Sequence, residues 1–211
     1  MIGFYNYTVI LTYIGFACGS IGIYFAAAGR TTTAIFMLLL AGLCDMFDGK
    51  IAKTKKDRTE PEKHFGIQID SLSDMVCFGI LPPMIGFSAG LNGVVQKVVF
   101  TCFSLAALIR LAYFNVTEEE RQKVTTERRK VYEGLPVTST ALIIPLLFYF
   151  STDLGEYFPL VATIVYALIA IAFITRFTLK KPQMRAMLLF ILLGAIELVM
   201  LICKAKHHAH A

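Results

Sequence analysis

The chain has 211 residues, 56% of them hydrophobic and 17% charged, with a mean hydropathy of +0.65 and a formal net charge of +5. That mixture excludes an ordinary soluble domain, because apolar runs of about 20 residues, each able to cross a hydrocarbon core of roughly 30 Å, recur along the length. No stretch is left for a separate soluble domain, and no feature points to a nucleic-acid partner.

Runs read against breakers predict an all-α integral membrane protein, a polytopic bundle of six to eight spans with seven as the preferred count. The spans fall at 6–28, 31–52, 65–88, 93–115, 136–152, 157–178 and 185–203. The N-terminal stretch lacks a basic region and a small-residue cleavage site, so it reads as a retained first span and not as a signal peptide. Span 136–152 is short and carries Pro145, which a span tolerates where neighbouring helices satisfy the freed carbonyl. Residues 1–203 form a single transmembrane catalytic domain in this reading. Residues 204–211 form a tail, native or appended, whose histidines carry no weight. The five cysteines lie in or at the ends of apolar runs, without a CxxC pair, and read as reduced packing residues.

Fifteen of the twenty basic residues fall in three segments, 50–63, 121–130 and 176–185, while the alternate connections hold only Arg30 and Lys97. Basic loops stay in the cytoplasm, so these three segments and the N-terminus are expected there. Seven spans leave Lys204 and Lys206 on the far side, a conflict that an even count removes. The run "KTKKDRTEPEKH" reads as a solvated cytoplasmic loop in reach of anionic headgroups.

The second span ends with Asp45 and Asp48, followed by Gly49 and Ala52, and the third opens with Gly66, Asp70 and Asp74. Residues three or four apart share a helix face, so each pair of acids points one way. At a rise of 1.5 Å per residue, Asp48 and Asp45 lie about 7 and 12 Å in from Lys53, and Asp70 and Asp74 about 9 and 15 Å in from His64. The helices are antiparallel, which sets Asp48 level with Asp70 and Asp45 near Asp74, just below the cytoplasmic surface. Four anions at one depth are untenable unless cations or protons neutralise them.

Oxygen ligands with no histidine or thiolate beside them suit a hard divalent ion, Mg²⁺, Mn²⁺ or Ca²⁺. Gly49, Ala52 and Gly66 leave room for a bulky group to approach the backbone, and Lys50 and Lys53 set positive charge at the rim. A metal-bridged diphosphate fits this arrangement. A divalent-cation transporter is the reading of another class, disfavoured because the acids cluster at one end and do not track across the bilayer.

These residues resemble the CDP-alcohol phosphotransferases, whose signature is D-x2-D-G-x2-A-R followed by G-x3-D-x3-D. Here it reads Asp45-x2-Asp48-Gly49-x2-Ala52-Lys53, then Gly66-x3-Asp70-x3-Asp74. Lysine stands at position 53 where the family has arginine, keeping charge without the bidentate fork. Twelve residues separate Lys53 from Gly66, more than the family's usual gap. The segments "IRLAYFNV" (109–116) and "YEGLPVT" (132–138) are similar to those of the bacterial-type phosphatidylserine synthase branch, whereas "TYIGFACG" has Gly15 where that branch often has asparagine.

The resemblance implies transfer of a phosphatidyl group from CDP-diacylglycerol to L-serine, with release of CMP. It implies two divalent ions, Mg²⁺ or Mn²⁺, held by Asp45, Asp48, Asp70 and Asp74, with Asp74 as general base. Gly49, Ala52, Lys53 and Gly66 would contact the substrate. A sibling enzyme using glycerol phosphate, inositol phosphate or another alcohol is the alternative. It further implies a homodimer in the inner cell membrane with its site facing the cytoplasm. An arginine within a span is costly unless it meets an anion or a wet pocket, so Arg110 is assigned to the acceptor's carboxylate or the transferred phosphate, with a snorkelling side chain as the alternative. Asn115 is a further substrate-binding candidate. Glu197, an acid within the last span, reads as protonated and hydrogen-bonded, and Gly15 and Gly19 form a small-xxx-small pair for helix packing.

Overall fold

The computed structural model describes residues 2–52, 54–124 and 131–180, with side chains described outside 122–133 and 178–180. Helix α1 (Tyr7–Ala27) starts at Asn6, whose side chain accepts from the Thr8 backbone N–H at 3.1 Å. It ends in a Schellman turn, with Gly29 at φ 76°, Gly29 N–H donating to Ala26 O and Arg30 N–H to Phe25 O. The turn returns the chain as α2 (Thr31–Ala52), antiparallel to α1 and its most extensive packing partner. Close approach depends on missing side chains. A Cβ on Gly15 would lie 3.2 Å from Cys44 Cβ, and one on Gly19 would lie 2.5 Å from Cys77 Sγ. The Gly15/Gly19 pair is thus used within this chain.

Helix α3 (Glu60–Asp74) opens with a capping box, the Glu62 carboxylate accepting from Thr59 N–H at 2.8 Å and Glu62 N–H donating to Thr59 Oγ1 at 3.4 Å. It runs through a wide π-helical turn (Met75–Ile80) into α4 (Leu81–Ser88), a continuous helical rod of 29 residues. Pro82 and Pro83 explain the turn, since neither has an N–H for the ladder. The Gly79 carbonyl, which a residue at 83 would otherwise serve, accepts instead from Ser104 Oγ at 2.8 Å.

Ser104 belongs to α5 (Val94–Val124), whose 31 residues extend beyond the predicted span end at 115. The excess carries "TEEERQKV", tied by the Arg121–Glu118 ion pair at 2.6 Å. A short strand β1 (Val131–Glu133) follows, then a 3₁₀ turn (Val137–Ser139), α6 (Thr140–Tyr149), α7 (Ser151–Leu154), α8 (Phe158–Ile174) and β2 (Thr178–Lys180). β1 and β2 pair antiparallel with Tyr132 opposite Leu179, a small ribbon within the otherwise helical chain where the sequence reading expected loops and, at Thr178, the end of a span. Its residues carry no apolar run, so hydropathy gives no signal for it.

The core centres on Tyr166 of α8, fully buried, with ring centroids 4.8 Å from Phe100 and 5.4 Å from Phe103. Its hydroxyl donates to Pro82 O at 2.7 Å. Outward faces remain apolar: Ile10, Ile14, Leu105, Ile109, Ile164 and Leu168 are all exposed, as lipid-facing positions require. Among the described residues, four helical segments are long and apolar enough to cross a membrane, Tyr7–Ala27, Glu60–Ser88, Val94–Arg121 and Ser151–Ile174. The chain is therefore an all-α, multi-pass membrane protein. The expected seventh span at 185–203, with Glu197, lies outside the described residues.

Candidate functional site

The site forms where α2 ends and α3 begins to enter the bundle. Because the two helices run antiparallel, the acids in the last two turns of α2, Asp45 and Asp48, meet those at the inner end of α3, Asp70 and Asp74. Carboxylate oxygens of Asp45, Asp70 and Asp74 lie within 4.8 Å of one another. Across the helix pair, Asp45 meets Asp74 and Asp48 meets Asp70, the pairing expected from helical rise. Asp48 stands slightly apart, buried, with its Oδ2 accepting from Thr12 Oγ1 of α1 at 3.0 Å.

Helix α1 fixes this geometry from behind. The Thr12 carbonyl accepts from Ser73 Oγ at 3.5 Å, and the Gly15 carbonyl from Cys77 Sγ at 3.4 Å. Glycine at position 15, where an added Cβ would meet Cys44 Cβ at 3.2 Å, permits the close approach of α2, and Gly19 that of Cys77. On the other flank, Asn115 Oδ1 accepts from Ser71 Oγ at 2.7 Å and its Nδ2 donates to Gln68 Oε1 at 3.4 Å. Asn115 therefore fastens α5 to the residue next to Asp70.

The remaining sequence-selected residues divide between the mouth and α5. A Cβ added to Gly49 would meet nothing within 4 Å, so open space lies beside the acids of α2. Ala52 is half-buried, and Lys50 Nζ lies 5.3 Å over the Phe47 ring. Lys53 lies outside the described residues. Gly66 faces Arg58, whose Nη2 would stand 2.5 Å from an added Cβ. Arg110 Nη2 donates to the Gly134 carbonyl at 3.5 Å, joining the two segments at 109–116 and 132–138.

Three residues escaped the sequence reading: Thr12, Ser73 and Arg58. Thr12 sits in an apolar run with no charge to flag it, and Arg58 lies in a run read as solvated, although its Nε is buried. Glu62, from the same run, accepts from both Lys55 Nζ at 2.8 Å and Asn6 Nδ2 at 2.7 Å.

The donor set fits a hard divalent cation. It consists of carboxylate oxygens, and Asp70 Oδ1 is buried without a hydrogen-bond partner. Two like charges held within 4.8 Å repel by at least about 3 kcal/mol at an effective dielectric of about 20, so three together call for a compensating charge.

The comparisons with known proteins agree with this chemistry. A curated relative from Saccharomyces cerevisiae, named CDP-diacylglycerol–serine O-phosphatidyltransferase, is 34% identical over 112 residues, 53% of this chain and 39% of that protein. One of the same name from Helicobacter pylori is 28% identical over 130 residues, 61% of this chain and 51% of its own length. An archaetidylserine synthase from Methanothermobacter thermautotrophicus is 29% identical over 159 residues, 74% of this chain and 64% of that protein. The chain thus spans about half the length, or less, of the first two. A family model described as CDP-alcohol phosphatidyltransferase matches residues 5–175, which includes all four aspartates and most of the described bundle, and the chain belongs to that family.

Proposed function

We propose that this protein transfers a phosphatidyl group from CDP-diacylglycerol to L-serine, giving phosphatidylserine and CMP, at the cytoplasmic face of the inner cell membrane. The convergence of Asp45, Asp70 and Asp74 within 4.8 Å carries the reading. The names of the relatives support serine as the acceptor.

Asp45, Asp48, Asp70 and Asp74 would hold two divalent ions, Mg²⁺ or Mn²⁺. When bound, these ions supply charge neutralisation for the diphosphate and the departing phosphate. Asp74, the deepest acid of α3, accepts the proton of the serine hydroxyl. The serine oxygen then forms its bond to the lipid-side phosphorus as the bond to the CMP oxygen breaks in line, and CMP departs with the electron pair.

Gly49 leaves space for the nucleotide, Ala52 and Gly66 border it, and Lys50 and Lys53 hold positive charge at the rim. Arg110 takes the serine carboxylate. A site about 10 Å below the surface suits both substrates, since serine and CDP arrive from water while the acyl chains stay between helices in lipid. The active form is a homodimer.

The test is CMP release by the purified protein in detergent, with Mg²⁺ or Mn²⁺, CDP-diacylglycerol and a panel of alcohols. Serine-dependent release is expected. Release with glycerol phosphate or inositol phosphate alone would replace the acceptor, and cation flux in liposomes without CMP release from any alcohol would overturn the enzyme reading.

A further inference from the structure

We propose that Arg58 binds the diphosphate of the nucleotide substrate, supplying from the α2–α3 loop the guanidinium that the family signature carries at position 53. The inference rests on the phosphatidyl-transfer reading and adds a substrate-binding residue to it. Twelve residues separate Lys53 from Gly66, and while Thr54, Lys56, Asp57 and Thr59 of that loop are exposed, Lys55 and Arg58 are half-buried. The loop folds back on the start of α3, where Lys55 Nζ reaches Glu62 Oε1 at 2.8 Å and Arg58 Nη2 donates to the Glu62 carbonyl at 3.0 Å.

Arg58 is thereby laid on Gly66. An added Cβ there would stand 2.5 Å from Nη2, so the missing side chain is what seats the guanidinium. Asp70 lies on the same face of α3 four residues deeper, a rise of about 6 Å. Among the described residues, the buried side-chain polar atoms without a hydrogen-bond partner are Arg58 Nε and Asp70 Oδ1. One is a donor on a permanent cation and the other an acceptor on an acid, so neither can satisfy both needs alone.

A diphosphate carried on divalent cations answers both. Its oxygens accept from Nε, and the cation side meets Asp70. The planar fork of a guanidinium matches phosphate in a way an ammonium does not, which is the element missing at Lys53. A purely structural clamp is the competing account. Glu62 is already held by Thr59, Lys55 and Asn6, and a clamp needs Nη2 but leaves Nε unexplained.

The experiment measures binding of CDP and of cytidine, by titration calorimetry in detergent with Mg²⁺, to the unaltered protein and to Arg58→Ala, Arg58→Lys and Gly66→Ala. Arg58→Ala should weaken CDP about 10–100-fold and leave cytidine unchanged, as loss of a charge-assisted contact to phosphate requires. Arg58→Lys should fall between, and Gly66→Ala, which fills the guanidinium's seat, should mimic Arg58→Ala. Equal CDP binding by the unaltered protein and Arg58→Ala would overturn the assignment, as would a loss shared equally by CDP and cytidine. Should Arg58→Ala fail to fold, the Arg58→Lys and Gly66→Ala results decide by the same criterion. If the unaltered protein bound no CDP, the phosphatidyl-transfer reading itself would fall.

Discussion

Around Tyr166 the carbonyls of Gly79 and Pro82 each receive a hydroxyl, from Ser104 at 2.8 Å and from Tyr166 at 2.7 Å. Around Asp70, by contrast, a buried donor and a buried acceptor are left over. Both regions lie along one helical rod, 60–88, and both place polar chemistry inside it. In the first, Pro83 denies the Gly79 carbonyl its ladder donor and Ser104 of the neighbouring helix supplies one, while Tyr166 adds a hydroxyl to the Pro82 carbonyl, so the polar groups serve packing alone. In the second, acids from two helices are pressed together and the protein does not finish the set. A bundle that can satisfy buried polar groups at one end and leaves them open at the other has a site at the open end.

The comparison can be broken most severely at the acids. Asp74→Asn should lower the rate of CMP release about 10²–10⁴-fold while CDP-diacylglycerol still binds, the size expected for loss of a general base. Retained turnover would remove Asp74 from that role. Stripping divalent ions with a chelator should likewise abolish turnover, and Mg²⁺ or Mn²⁺ should restore it.

A subtler break is Thr12→Val, which deprives Asp48 of its 3.0 Å hydrogen bond. The concentration of Mn²⁺ needed for half-maximal activity should rise about 10-fold or more, the usual cost of removing a partner that orients a ligand, and Thr12→Ser should restore it. Unchanged metal dependence in Thr12→Val would show that α1 does not tune the acids. At the satisfied end, Tyr166→Phe should lower stability by about 1–3 kcal/mol in a detergent melt, since it strips the donor from a buried carbonyl, with turnover per folded molecule unchanged. A catalytic defect there would mean the two ends are coupled.

How much of this was legible in the sequence differs between the same two regions. The pairing of Asp45 with Asp74 and Asp48 with Asp70 follows from helical rise and the antiparallel run of two apolar segments, both local quantities. What Thr12 and Ser73 do depends on which α3 residues the buried Thr12–Gly15–Gly19–Gly22 stripe of α1 meets, and an apolar run does not name that partner. The inward turn of Arg58 depends on Gly66 being empty and on Glu62 gathering Lys55 and Asn6, contacts set by how the loop folds back on α3 and, for Asn6, by a residue far away in sequence. The bulge at Met75–Ile80 was half-legible, because Pro82 and Pro83 announce a broken ladder without saying how it is repaired. Asn115, expected to bind substrate, makes described bonds to Ser71 and Gln68, contacts across α3 and α5 that its place at the end of an apolar run does not announce.

The central claim is that the acids of α2 and α3 together hold divalent cations. Titration of the purified protein with Mn²⁺ in the presence of CDP, followed by electron paramagnetic resonance, tests it without turnover. The account predicts bound Mn²⁺ in the unaltered protein and its loss in Asp70→Asn and in Asp45→Asn, one substitution on each helix. Mn²⁺ bound with the same stoichiometry and affinity in both variants would contradict it.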